Sequence, residues 1–378
     1  MQEDPEGFLQ PVIDQEKCVE CGLCVKRCPA LNPYTFDVKK RETYALINYK
    51  DREKSSSGGA FSFFARCILN KGGVVFGATM DEHFQVKHIM IDREEDLFRL
   101  RGSKYVQSYI GDSYKQVRNN LNRGLYVLFV GTSCQIAGLY TYLGYKRYEG
   151  KLVTLDLVCH GVPSQKMFDL YLEKLKKSTR LKGENIKGFR FRNFDSWSIV
   201  PAVKITETKW HILTLTENAY MNAFFEGIIF RESCYRCTYC NTNRIGTFTI
   251  ADFWGIGRHG QKFNKNVACG VSLVIDNEEK MEELLTDYDD EIYVEKRSLQ
   301  EAIIEQQNLK NPMKRPKERN NCIRVMFNSN ASLADFLKAC NLPWKEDFKY
   351  KTIKMAKNII YSLRLYNVYK TVIYKLGK

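Results

Sequence analysis

Cys18-Val19-Glu20-Cys21-Gly22-Leu23-Cys24-Val25-Lys26-Arg27-Cys28-Pro29 constrains this chain more than any other stretch. Cysteine recurs at every third position from Cys18 to Cys24, a further one follows at Cys28, and proline closes the run. A loop this tight can wrap one face of a cubane, aiming three thiolates and several backbone N–H groups at it. Gly22 suits the sharp turn beside such a group, and Pro29 fixes the exit of the chain. The spacing is that of bacterial 4Fe-4S sites, where the last cysteine of the run ligates the other cluster of a pair. Cys18, Cys21 and Cys24 are therefore the expected ligands of one site, and Cys28 of a second. Zinc sites usually pair two Cys-x-x-Cys units across a longer loop.

The rest of the composition is compatible with redox chemistry. The chain has 378 residues, with 44% apolar and 27% charged side chains, as expected of a globular protein of two or three domains. Thirteen cysteines is a high count, and the acidic start Met1 to Glu6 carries no secretory n-region or h-region. A cytoplasmic location is expected, where thiols stay reduced and clustered cysteines serve metals or clusters. No apolar run reaches the ~18 residues of a membrane span. No four-cysteine run precedes Cys18, so the segment reads as half of a two-cluster module. Its missing ligand would come from a remote cysteine such as Cys67, Cys322 or Cys340, from a partner protein, or from a chain that begins inside the module.

Strand and helix signals alternate over the next 140 residues. Tyr44 to Tyr49 reads as a strand, Lys54 to Gly59 as a Ser/Gly loop, Ala60 to Leu69 as an apolar helix, and Gly73 to Ala78 as a buried strand. A Ser/Gly turn opening a helix offers free N–H groups and the positive end of the dipole, a seat for phosphate; a plain N-cap loop would look the same. Leu125 to Val130 is a continuous apolar run that ends in Gly131-Thr132-Ser133-Cys134-Gln135. Leu152 to Val158 repeats that layout and ends in Cys159-His160-Gly161-Val162-Pro163-Ser164. Strand, small-residue turn, helix is where doubly wound proteins place ligands. The expected fold is α/β, a mixed sheet with flanking helices, preceded by a partial ferredoxin-like cluster segment and followed by a basic helical tail. Its parts are residues 1–40 (cluster segment), 41–150 (α/β part with the small-residue loops), 151–310 (second cysteine set) and 311–378 (tail).

Residues 188–215 alternate as antiparallel strands do, with Arg190, Arg192 and Trp197 near a turn at 193–196. A second run, Cys234-Tyr235-Arg236-Cys237-Thr238-Tyr239-Cys240, lacks the trailing Cys-Pro. A 4Fe-4S cluster needs four thiolates, and Cys134 and Cys159 can supply what this run does not. Arg231 and Arg236 would lower the thiol pKa values. A structural zinc built from the same cysteines is the competing reading.

Ser57-Gly58-Gly59, Gly102-Ser103-Lys104-Tyr105-Val106, Gly131 to Gln135, Cys159 to Ser164 and Ser233-Cys234-Tyr235-Arg236-Cys237 occur in that order. Together they resemble the beta subunit of coenzyme F420 hydrogenase/dehydrogenase, in particular bacterial relatives with a fused ferredoxin segment, over most of residues 1 to about 300. The resemblance implies FAD beside a 4Fe-4S cluster, with one or two clusters in all. It implies Cys134, Cys159, Cys234 and Cys237 as ligands of the cluster next to the flavin, with Cys240 a spectator or an exchange ligand. It also implies a flavin site lined by Ser57, Gly58, Gly59, Lys104 and Thr132. The substrate it implies is a small molecule that exchanges hydride, a deazaflavin in archaeal members or a polysaccharide-pathway intermediate in bacterial ones, with an electron-donor or acceptor protein as partner. His160 is placed to shuttle a proton, or simply packs in its turn.

The net charge of +14 gathers at the C-terminus, where Lys345 to Lys378 carries nine basic residues against Glu346 and Asp347. Met355, Ile359, Leu363, Tyr366, Tyr369, Ile373 and Leu376 give that stretch an apolar stripe at helical spacing. Such a helix suits peripheral contact with an anionic membrane, the protein's own core or an acidic partner. No nucleic-acid module is present, and none is expected as a partner. The expected function is an iron–sulfur flavoprotein oxidoreductase; the alternative is a noncatalytic electron carrier or a zinc-stabilised scaffold that binds a partner.

Overall fold

The computed structural model describes residues 1–35, 41–146, 148, 150–178, 180–192, 197, 199–285 and 291–343. The basic tail helix expected beyond residue 344 and the turn at 193–196 lie outside the described residues. Eight strands form the main sheet: β1 (Glu42–Asn48), β2 (Val74–Met80), β3 (Val86–Ile91), β4 (Val127–Thr132), β5 (Leu152–Leu157), β6 (Phe248–Asp252), β7 (Ser272–Asp276) and β8 (Ile292–Arg297). Their order across the sheet is β8-β1-β7-β6-β5-β4-β2-β3. β6, β5, β4 and β2 run parallel and are largely buried on both faces, as parallel strands are, while β3, β7 and β8 run against their neighbours. The sheet draws strands from both sides of residue 150.

Alternation along each strand sends its side chains to two different cores. Leu128 and Val130 of β4 face helix α1 (Ala60–Leu69), whereas Val127 and Phe129 face α2 (Ser113–Asn122) and α3 (Ser133–Tyr142). Ala45, Ile47, Leu273 and Ile275 do the same for a smaller core that includes Trp197, Phe253 and residues of α6 (Leu299–Glu305). A further core lies beyond the sheet. There α4 (Gln165–Lys176), α5 (Ala219–Phe225), α7 (Arg319–Phe327) and α8 (Leu333–Ala339) pack with an antiparallel sheet of Gly188–Arg190, Ala202–Lys204 and Trp210–Ile212. Cys67, Cys322 and Cys340 are buried in these apolar interiors, and Cys322 donates to the carbonyl of Ala339 at 3.4 Å. Among the described residues no helix is long and apolar enough to cross a membrane.

The N-terminal cysteine loop lies against α3. Gly22, at φ +67°, opens a single helical turn over Leu23–Lys26, which is the left-handed backbone its position demands. Arg27 donates to the carbonyl of Thr141 at 3.1 Å, and Tyr34 stacks on Tyr145.

Candidate functional site

The carboxyl ends of β4, β5 and β6 open into a cavity of about 520 Å³, a volume suited to a small-molecule or cofactor site. Ends of parallel strands are where the backbone leaves the sheet and where loops can converge on a ligand. Ser57, Gly59, Lys104, Thr132, Cys159 and His160 line it. Gly58 packs behind that wall instead, where a Cβ would stand 2.2 Å from the Leu46 carbonyl oxygen and 2.4 Å from the Ser272 nitrogen. Gly59, at φ +89°, turns the chain into α1.

Three separated stretches bring their cysteines together beside this cavity. Cys134 lies in the first turn of α3, Cys159 follows β5, and Cys234, Cys237 and Cys240 lie on the loop that precedes β6. Negative charge on Cys234, Cys134 or Cys237 raises the pKa of Cys159, and Cys134 and Cys237 act likewise on Cys234. Burial is the larger cause for both, pushing Cys159 well up and Cys234 to about 12. Solvent reaches the sulfur of Cys134 in its recess, yet the protein mass around it raises that thiol as well. Cys237 and Cys240 share a hydrogen bond, which draws Cys237 down to about 6 and pushes Cys240 up. The Cys240 sulfur also approaches the Cys159 carbonyl at 3.9 Å.

Arg244 is the cation built into this cysteine set, and no motif singles it out. It is buried, pairs with Asp156 at 3.1 Å, and donates to the Tyr239 carbonyl at 2.7 Å and the Ser133 hydroxyl at 2.6 Å. It acts on both Cys237 and Cys240. Arg231, expected in that role, acts on Cys234 and spends its side-chain hydrogen bonds on the Leu9 carbonyl, Gln10 and Gln107. No group of three or more His, Cys, Asp or Glu among the described residues is set closely enough to hold a single metal ion. A four-iron cluster spans its thiolates with bridging sulfide and iron, so its ligands stand farther apart than those around one ion. Five thiols without nitrogen or carboxylate donors, backed by a buried arginine, fit such a group.

Cys18, Cys21 and Cys24 are exposed on the N-terminal loop, and Cys28 is half-buried. Tyr239, between Cys237 and Cys240, donates its hydroxyl to the Pro29 carbonyl at 2.8 Å and accepts from the Tyr34 N–H at 3.3 Å. Burial raises that phenol to about 12, so it stays neutral.

The cavity wall carries further polar groups. Lys104 donates to the carbonyls of Leu100 and Arg101, both at 2.9 Å, and burial holds its ammonium down to about 7. His160 has both ring nitrogens engaged, one with the Phe225 carbonyl at 3.2 Å and one with Asn308 at 2.8 Å, and burial lowers its pKa. Asp252 takes Arg192 through both carboxylate oxygens, at 2.7 and 3.2 Å, together with the Trp197 indole N–H at 2.5 Å. Trp197 stacks on Trp254 with ring centroids 4.7 Å apart. His88, Ser108 and Gln135, which also line the cavity, form a hydrogen-bonded chain that no local motif announces.

A profile for a 4Fe-4S binding domain matches residues 9–30, over the first cysteine run. This marks the first cysteine run as an iron–sulfur binding segment. The profile for the C terminus of the coenzyme F420 hydrogenase/dehydrogenase beta subunit matches residues 125–302. Over that span, a little under half of its length, the chain is similar to that family. A solved structure of the F420-reducing NiFe hydrogenase complex from Methanosarcina barkeri aligns with 70% of this chain and 84% of the chain compared, at 16% identity and a TM-score of 0.47. The comparison with curated proteins returned no match.

Proposed function

We propose that the chain is an iron–sulfur flavoprotein oxidoreductase. In this reading Cys134, Cys159, Cys234 and Cys237 hold one 4Fe-4S cluster, with Cys240 in reserve, and Cys18, Cys21, Cys24 and Cys28 serve the N-terminal site. FAD occupies the cavity between Ser57, Gly59, Lys104 and Thr132, with Gly58 shaping the wall behind. One observation carries the reading: Thr132 belongs to the cavity wall and at the same time touches the Cys134 sulfur at 3.1 Å. The cavity and the cysteine set are thus direct neighbours, as exchange of electrons between their occupants requires.

The protein's own residues divide the work. The cysteines fix the inorganic group while Arg244 offsets its negative charge. Lys104, close to its titration point, can answer a phosphate or an anionic ring with a proton taken from solvent. Asp252 locks Arg192 and Trp197 at the far wall, so that a hydride-exchanging small molecule meets a rigid surface; a deazaflavin and a polysaccharide-pathway intermediate are the two substrate classes under this reading. His160, with both nitrogens engaged, serves the turn after Cys159 rather than a proton relay. A bound flavin converts between single-electron and hydride chemistry. A separate electron-carrying protein would dock at the exposed Cys18–Cys24 loop, and the basic tail would bring the molecule to an anionic membrane surface.

Anaerobic purification with iron, sulfide, zinc and flavin analysis tests the proposal. The expected product is brown, carries FAD, and holds more iron than the N-terminal run can bind; Cys159→Ser and Cys237→Ser each remove at least ~4 iron atoms. Colourless protein with stoichiometric zinc would overturn it, and iron without flavin would leave an electron carrier.

A further inference from the structure

A cysteine that holds iron has given up its proton. The hydroxyl of Thr132, 3.1 Å from the Cys134 sulfur, is then the only member of that pair able to donate. Its position is not left to a free rotor on a loop. The Thr132 N–H donates to the Gln135 side-chain oxygen at 3.0 Å, as one half of a capping box at the start of α3. The Gln135 amide in turn donates to the Ser108 hydroxyl at 3.0 Å, and Ser108 bonds His88 Nδ1 at 2.9 Å. His88 is buried, and its Nε2 lies 2.9 Å from the Val130 carbonyl, which can only accept. That contact requires a proton on Nε2, leaves Nδ1 of the neutral ring as an acceptor, and orients the Ser108 hydroxyl toward it. The series of bonds from β4 through His88, Ser108 and Gln135 back to Thr132 thus has one consistent direction. It closes on the residue beside Cys134.

We infer that Thr132 is a positioning residue that donates a fixed O–H···S hydrogen bond to Cys134 and thereby raises the reduction potential of the cluster bound there. This rests on the cysteine assignment proposed above. Hydrogen bonds to ligand sulfur stabilise the more negative, reduced state, and their removal lowers the potential. The step concerned is a one-electron reduction of the inner site by an external reductant; no bond forms or breaks, and the hydroxyl proton stays on Thr132. Gln135, Ser108 and His88 act through Thr132.

The test is a dithionite-poised reduction titration of the full chain, followed by electron paramagnetic resonance. It is run in a background with Cys18, Cys21 and Cys24 changed to serine, so that only the inner site reports. Thr132→Val is expected to keep its iron and sulfide and titrate at a lower potential, and Thr132→Ser to return to the wild-type value. A valine variant with full iron content and an unshifted potential would overturn the inference while leaving the cluster assignment intact. If the background chain holds no iron and sulfide, the assignment fails, and the inference with it. Should the valine variant lose its iron, Thr132→Ala is read against Thr132→Ser: a lower potential for alanine alone supports the hydrogen bond, and equal potentials refute it.

Discussion

Lys104 has its ammonium against two carbonyls in the cavity wall, and burial brings it down to about 7. Near neutral pH it is therefore only partly charged. An anionic ligand close by favours the charged form, so binding takes up a proton and affinity falls as pH rises through about 7. A single linked proton limits the fall to about tenfold per pH unit. Calorimetric titration with FAD at pH 6.5 and 8.5 should show this loss in the wild type and not in Lys104→Met. His88 titrates in the opposite sense with respect to folding. Burial lowers it from 6.5 to about 4, so the unfolded chain takes up the proton first as the solution is acidified. Stability from the neutral ring is complete above about 6.5 and is lost as pH falls toward 4, a swing of roughly 3 kcal/mol at most. Urea midpoints measured from pH 7 to pH 5 should fall more steeply for the wild type than for His88→Gln.

At the scale of elements, much of the sheet was written in local pattern. The apolar runs before Cys134 and Cys159 are β4 and β5, and Ala60–Leu69 is a helix with the ends its sequence predicts. Periodicity shows where a strand is and says little about its neighbour. The insertion of antiparallel β7 between β1 and β6 depends on contacts across roughly two hundred residues, which no local signal carries. The same holds for Arg244, whose partners Asp156 and Ser133 lie on other elements, and for the His88–Ser108–Gln135 chain. Gly58 was legible as part of a Ser/Gly loop, but its reason differs from the one expected. It is a contact glycine, with the β1 backbone and Ser272 where a methyl group would go. Gly58→Ala should cost about 1–3 kcal/mol by overpacking and distort the cavity wall. Thermal denaturation and FAD retention of the variant would register both effects.

Across the whole molecule, Arg319 links segments far apart in sequence. It bonds Glu6 at 2.9 Å and Glu232 at 3.0 Å, the Phe230 carbonyl at 2.8 Å and the Tyr235 hydroxyl at 3.1 Å. The start of the chain, the loop bearing Cys234 and helix α7 are held by one buried guanidinium. Arg319→Leu would leave two carboxylates that can still reach water, so the expected loss is about 2 kcal/mol, below the ~3–5 kcal/mol of a stranded buried charge. Limited proteolysis should then cut within residues 1–10 sooner than in the wild type.

Tyr239 makes a comparable link on a smaller scale, and it bears on biogenesis. Its phenol comes from the inner cysteine loop and clasps Pro29, the residue immediately after Cys28. The outer loop is therefore seated on a platform that the inner loop provides. With both cysteine sets loaded as proposed, oxygen that strips the deeper centre would loosen the exposed one as a secondary injury. Chains with Cys237→Ser should accordingly mature poorly at Cys18 to Cys28, although every one of those four thiols is intact.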